Sequence, residues 1–306
     1  MVNFTSTSGN GTLMSSYIAT VDTVTRSALA VFTLLFFTFY LYITSVLLKI
    51  FFSIPHIWEK SRYILFVHML INDTLYLALG NFILVTAMYS VDFPVSVCFL
   101  LHTLATCSFR VTPYNLAVMS LERYVAICFP LRHLKFCTIK RARYAILVIW
   151  LIGLCPSIAD CTVIIYSIKG RFFSLHGFCG RSMLFVSPIQ NVIMSFINIF
   201  SFAAVALIIA FTYIEVMLVA RKIGSGGSSA HKAGKTVMLH AFQLILCMVS
   251  FISSLTEVLL INCVSYLLIT NYIILTCLPR LLSPVIYGLR DEVFHKYIKK
   301  MYLIKC

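Results

Sequence analysis

Five ionisable side chains lie in stretches that are otherwise apolar: Asp73, Arg110, Glu122, Arg123 and Arg280. A charge held away from water is costly, so each needs a counter-charge, a set of dipoles or a wet cavity, and each is a candidate functional group by default. The chemistry they offer is ion pairing and ligand capture rather than bond breaking. Hydrolysis inside a membrane needs paired acids or a Ser/His dyad at depth, and Asp73 is the one deep acid. His102, Thr106 and Arg110 recur every four residues and so share a helical face. A guanidinium there can hold a carboxylate through two parallel hydrogen bonds. Polar groups at helical spacing that could face it are Asn191, Ser195 and Asn198, then Ser250, Ser254 and Glu257. Two readings stand side by side: polar packing between helices, at about 0.6 kcal/mol per contact, or an anchor for an anionic small molecule. Asp160 and Glu257 are the acids placed to pair with Arg110 at rest.

These residues need helices to carry them. Of the 306 residues, 60% are hydrophobic and 11% charged, whereas a soluble domain carries about a quarter charged residues. A water-soluble globule is excluded. The apolar stretches run over Ser27–Leu48, Tyr63–Val91, Val95–Arg123, Tyr144–Tyr166, Ser182–Ile214, Thr236–Thr256 and Val258–Pro279. Each reaches or approaches the roughly 20 residues that cross a bilayer core as a helix. Seven such blocks predict an all-α membrane protein, a seven-transmembrane helix bundle over residues 27–289. A β-barrel would show short alternating segments instead, and a transporter would show internal repeats. The Ser- and Thr-rich residues 1–26 lack a basic start followed by an apolar core, so the first helix is expected to act as its own insertion signal.

Basic residues near helix ends mark the cytoplasmic side. With the amino terminus outside, 17 of the 24 Lys and Arg fall in inner segments and 4 in outer ones. The net charge of +14 is therefore expected to meet the inner leaflet, with no nucleic acid partner. Asn3 and Asn10 head acceptor sequons in the outer tail. Cys98 and Cys179 both face the oxidising side and could staple the outer loop to the third helix, and Cys161 with Cys263 is a second possible pair. Gly224–Ser229 reads as a flexible inner linker. In residues 290–306, Val293, Phe294, Tyr297, Ile298 and Met301 share a face, which predicts a short amphipathic eighth helix on the cytoplasmic surface. No cofactor and no metal are called for.

The run from Met119 to Arg132, with Glu122-Arg123-Tyr124 followed by Val125-Ala126-Ile127-Cys128-Phe129-Pro130-Leu131-Arg132, resembles the end of the third helix of odorant receptors in the rhodopsin-like G-protein-coupled class. Lys232 to His240 resembles the start of their sixth helix, and Leu278 to Asp291 the seventh-helix signature in its fish form. Cys98, 25 residues before Arg123, matches the disulfide position of the class. The resemblance implies a receptor, not an enzyme, that binds a small odorant in the outer half of the bundle and activates a heterotrimeric G protein of the stimulatory type. It implies that Glu122 holds Arg123 at rest, against the alternative of an arginine that simply snorkels to the interface. It assigns switch roles to Tyr124, Tyr213, His240, Pro284 and Tyr287. The acid matching Asp73 binds sodium in the wider class. Arg280 stands one turn outward of Pro284, so its guanidinium is expected to pair with Asp73 in sodium's place, unless each is hydrated separately. Ser283 stands where the wider class has Asn before the proline. A non-olfactory rhodopsin-like receptor and, further off, a membrane transporter are the alternatives.

Overall fold

The computed structural model describes residues 23–168, 176–179, 188–223, 242, 245–246, 249 and 271–290. Five helices among them are long and apolar enough to cross a membrane: α1 (Thr23–Ser53), α2 (Ser61–Met88), α3 (Val95–Cys128), α5 (Ile139–Ile168) and α6 (Pro188–Ile223). A short helix, α4 (Pro130–Phe136), joins α3 to α5, and α7 (Leu278–Arg290) follows a turn over Tyr272–Cys277 wound with i→i+5 hydrogen bonds. The sixth apolar stretch lies outside the described residues except for single helical positions such as Phe242 and Ile245. The glycosylation sequons, the linker at 224–229 and the amphipathic tail also lie outside them.

α1 and α5 overrun their apolar stretches at both ends and α3 at its far end, whereas α2 stops at Met88, short of Val91. α1 takes in Arg26 and Lys49, α3 continues to Cys128, and α5 begins near Lys140. A basic side chain at a helix end can bury its stem and hold its charge in the interface, so a charge stops an apolar count without stopping the backbone ladder. α6 is described from Pro188, and the expected start of its stretch at Ser182 lies outside the described residues. Proline lacks a backbone N–H and is at home in a first turn, where that donor has no partner anyway. Pro130 in α4 stands in such a first turn.

α3 is the most buried of the five spans and packs against α2, α5 and α6. Large apolar side chains elsewhere point outward, Phe200 at 77% exposed and Leu207 at 71% on α6 among them. Such faces suit lipid, where helix association rests on close packing and interhelical hydrogen bonds rather than on escape from water. Those bonds are present. Asn72 Nδ2 donates to the Ser108 carbonyl at 2.8 Å, Asn115 Nδ2 to the Leu65 carbonyl at 2.9 Å, and Trp150 Nε1 to His68 Nε2 at 2.9 Å.

One end of the bundle is capped by a two-stranded antiparallel sheet of β1 (Asp92–Pro94) and β2 (His176–Phe178), with Phe93 opposite Gly177. Ser90, at a left-handed φ of 53°, turns the chain from α2 into β1. The Cys98–Cys179 disulfide sits beside the sheet, with Val95 and Ile164 packed around it. It ties the segment after α5 to the start of α3. Cys161 is a free thiol among the described residues, and Cys263, its suggested partner, lies outside them.

α5 approaches α3 closely at Gly153, where an added Cβ would stand 3.2 Å from Cys107 Sγ and 3.3 Å from Val111 Cγ2. Gly153→Leu is expected to destabilise the bundle by about 1–3 kcal/mol, measured as a lower unfolding temperature in detergent. Wild-type thermal stability in that variant would show the contact to be slack.

Candidate functional site: two buried cations and a switch end

Asp73 and Arg280 are 2% and 4% exposed, and Arg280 Nη1 lies 2.5 Å from Asp73 Oδ1. Helical phase explains the meeting. Asp73 is on the buried side of α2 and Arg280 on the first turn of α7, directly after the i→i+5 segment that ends at Cys277. Thr112 of α3 completes the cluster: its hydroxyl donates to Asp73 Oδ1 at 2.7 Å and accepts from Arg280 Nη1 at 3.2 Å and from Asn72 Nδ2 at 3.0 Å. The guanidinium carbon stands 3.9 Å from the centre of the Tyr76 ring, adding a cation–π contact. Ser283 donates back to the Pro279 carbonyl at 3.1 Å.

A second cation, Arg110, is 7% exposed where α3, α5 and α6 cross. Its Nε donates to Asn198 Oδ1 at 3.2 Å, and Nη1 to Ser157 Oγ at 3.4 Å and the Gly153 carbonyl at 3.5 Å; Nη2 lies 3.6 Å from Met194 Sδ. His102 and Ser195 are half-buried. Thr106, also half-buried, turns its hydroxyl onto its own helix, donating to the His102 carbonyl at 2.9 Å, which leaves only its lone pairs for a ligand. Asp160, a suggested partner of Arg110, accepts a hydrogen bond from Gln190 Nε2 on α6 at 2.8 Å. The side chain of Asn191 lies outside the described residues, as do Ser250, Ser254 and Glu257.

At the other end of α3 the expected pairing of Glu122 with Arg123 does not form. Glu122 instead accepts from Ser61 Oγ at 3.4 Å and lies 3.1 Å from His133 Nε2 on α4. Consecutive helical residues point about 100° apart and do not face each other, so Glu122 turns into the bundle while Arg123 stays half-exposed. Tyr124 packs on Phe129 and Phe211, and Tyr213 is half-buried on α6. Pro284 is buried within α7. His240 and the Tyr287 side chain lie outside the described residues.

Sequence reading missed Thr112, Ser157, Tyr76 and His133. Thr112 had a signal, because Ser108 and Thr112 form a polar pair one turn apart in an apolar helix. Ser157 and Tyr76 had none, since each becomes a partner only through tertiary contact.

Removing one member of a buried ion pair costs about 3–5 kcal/mol because the other charge is stranded. Asp73→Asn and Arg280→Met are each expected to lower the unfolding temperature accordingly, and the double variant to lose clearly less than the sum. Strictly additive losses in that double-mutant cycle would mean the side chains act separately.

The family pattern described as 7 transmembrane receptor (rhodopsin family) matches residues 44–287. Odorant receptor 131-2 of Danio rerio is 27% identical over 247 residues, covering 79% of this chain and 76% of the relative. That pattern covers most of the chain, from within α1 to within α7, and the chain belongs to the rhodopsin family of seven-transmembrane receptors.

Proposed function

We propose that this multi-pass receptor detects a small carboxylate-bearing odorant through Arg110 and passes the signal to a stimulatory heterotrimeric G protein. The observation that carries the ligand class is the geometry of Arg110. Its contacts to Asn198, Ser157 and the Gly153 carbonyl run from 3.2 to 3.5 Å, longer than the roughly 2.7–2.9 Å of a charge-assisted bond. An incoming carboxylate offers two short parallel bonds in exchange for these loose ones, and the surrounding low dielectric strengthens them. His102, Thr106, Asn191, Ser195, Ser254 and Glu257 are the neighbours assigned to shape the pocket. The odorant assignment is supported by the zebrafish relative, whose name is that of an odorant receptor.

In this reading the disulfide end, with Asn3 and Asn10 glycosylated, faces outside, and the basic end with the carboxyl terminus faces the cytosol. Asp73 and Arg280 form a switch element in which the guanidinium takes the place of a sodium ion. A ligand that binds one helix arrangement more tightly shifts the population toward it. Pro284 leaves α7 free to kink and swing Tyr287, and Glu122, Arg123, Tyr124, Tyr213 and His240 meet the G protein or hold its site closed.

Cells expressing the receptor are expected to raise cyclic AMP to aliphatic or aromatic carboxylic acids and not to their methyl esters. Arg110→Ala at equal surface level is expected to raise the half-maximal concentration at least about tenfold, the worth of one such bond, while Arg110→Lys recovers part of the loss. An unchanged acid response in Arg110→Ala rejects the anchor. A tagged amino terminus found in the cytosol rejects the orientation.

A further inference from the structure

α4 places a second set of donors beside Glu122. Glu122 Oε1 and His133 Nε2 are 3.1 Å apart, and with Cys137 Sγ each offers a ligand atom within 4.8 Å of the other two. His133 and Cys137 stand four residues apart on one helical turn, whose geometry is held by the Cys137 N–H donating to the His133 carbonyl at 2.8 Å. That spacing puts two ligands on one face, as in other helical metal pairs. A histidine–glutamate hydrogen bond would account for two of these groups. It gives no reason for a thiol to converge on them.

We propose that Glu122, His133 and Cys137 form a zinc site at the end of the bundle that carries the Glu122-Arg123-Tyr124 triad. Carboxylate oxygen, imidazole nitrogen and thiolate sulfur are all zinc ligands, at about 2.0–2.3 Å from the metal, so tetrahedral ligands lie about 3.3–3.7 Å from one another. Binding would open the 3.1 Å separation of Glu122 and His133 slightly and draw the Cys137 sulfur in from within 4.8 Å of both. Calcium and magnesium take oxygen ligands and fit the sulfur and nitrogen poorly. His133 is 29% exposed on its side chain, which leaves a route for the ion and a fourth position for water.

The protonation balance is simple. Neutral His133 presents its Nε2 lone pair with the proton on Nδ1, Glu122 is ionised, and the Cys137 thiol releases its proton to solvent as the zinc–sulfur bond forms. Carboxylate and thiolate then neutralise the two charges of the ion. Burial, followed by the Glu122 charge, pushes the Cys137 thiol up to about 11, and a cation at this point reverses that bias. The bound ion would fasten α4 to the end of α3 and hold Glu122 in its inward position. That consequence for signalling rests on the role proposed for Glu122; the binding itself does not.

Purified full-length receptor in lipid nanodiscs, titrated with Co2+ as a spectroscopic stand-in, tests the site. Wild type is expected to develop a thiolate-to-cobalt absorption with tetrahedral visible bands, bleached by equimolar Zn2+. Cys137→Ser should abolish the thiolate band, Cys155→Ser should keep it, and His133→Gln should weaken cobalt binding by at least roughly tenfold. A wild type without the band, or a Cys137→Ser receptor that retains it, overturns the site. Should Cys137→Ser fail to fold, the decision passes to thermal unfolding: micromolar Zn2+ should raise the wild-type midpoint and leave His133→Gln unmoved, and equal shifts in both overturn it. Odorant responses do not enter these readouts, so loss of the zinc site and loss of the odorant reading are separate results.

Discussion

The constraint that governs this molecule is that a polar group in lipid must find its partner within the protein. Asp73 and Arg280 meet it most directly. Each would be a costly isolated charge, and together with Thr112 they form a compact cluster linking α2, α3 and α7. The cost of desolvation makes such a pair a weak source of net stability. Sliding α7 along its neighbours or rotating it would strand a charge, so the pair disfavours other registers of the helix.

Neutral groups obey the same rule with smaller stakes. Thr74, Thr86 and Thr106 donate back to their own helices, whereas Asn72 and Asn115 reach across to backbone carbonyls on the neighbouring helix. The first kind silences a hydroxyl, and the second joins α2 to α3. Gly153 supplies the steric counterpart by letting α5 come close enough for its carbonyl to face Arg110. α3 is central because the polar groups of α2, α5 and α6 converge on it, and a central helix that carries both a buried cation and the Glu122 end can couple one to the other as a rigid element.

How much of this could be read from the sequence follows from the range of each interaction. Helix positions and class come from composition and block length, which are local; the ends of α1, α3 and α5 run past the stretches where basic residues continue the backbone ladder, and α2 ends early at Met88. Asp73 and Arg280 stood out because charges are rare in apolar blocks. Thr112 did not, since a threonine in a helix is ordinary until a charge faces it. Glu122 lies against Ser61 and His133, partners on other helices that the Glu122-Arg123-Tyr124 run does not itself reveal. His133 and Cys137 are legible as a spacing of four, but their approach to Glu122 is a tertiary contact that spacing alone does not show.

The two buried arginines are chemically alike and environmentally opposed. Arg280 faces the Asp73 carboxyl group at 2.5 Å with an aromatic ring beneath it, and an incoming anion would have to displace both contacts. Arg110 faces an amide, a hydroxyl and a carbonyl at longer range. Dipoles stabilise a cation in low dielectric but less than a carboxylate does, so giving up these particular contacts costs less at Arg110 than giving up the Asp73 bond does at Arg280. That difference, rather than the charge both share, favours one as a structural pin and the other as an anchor for ligand.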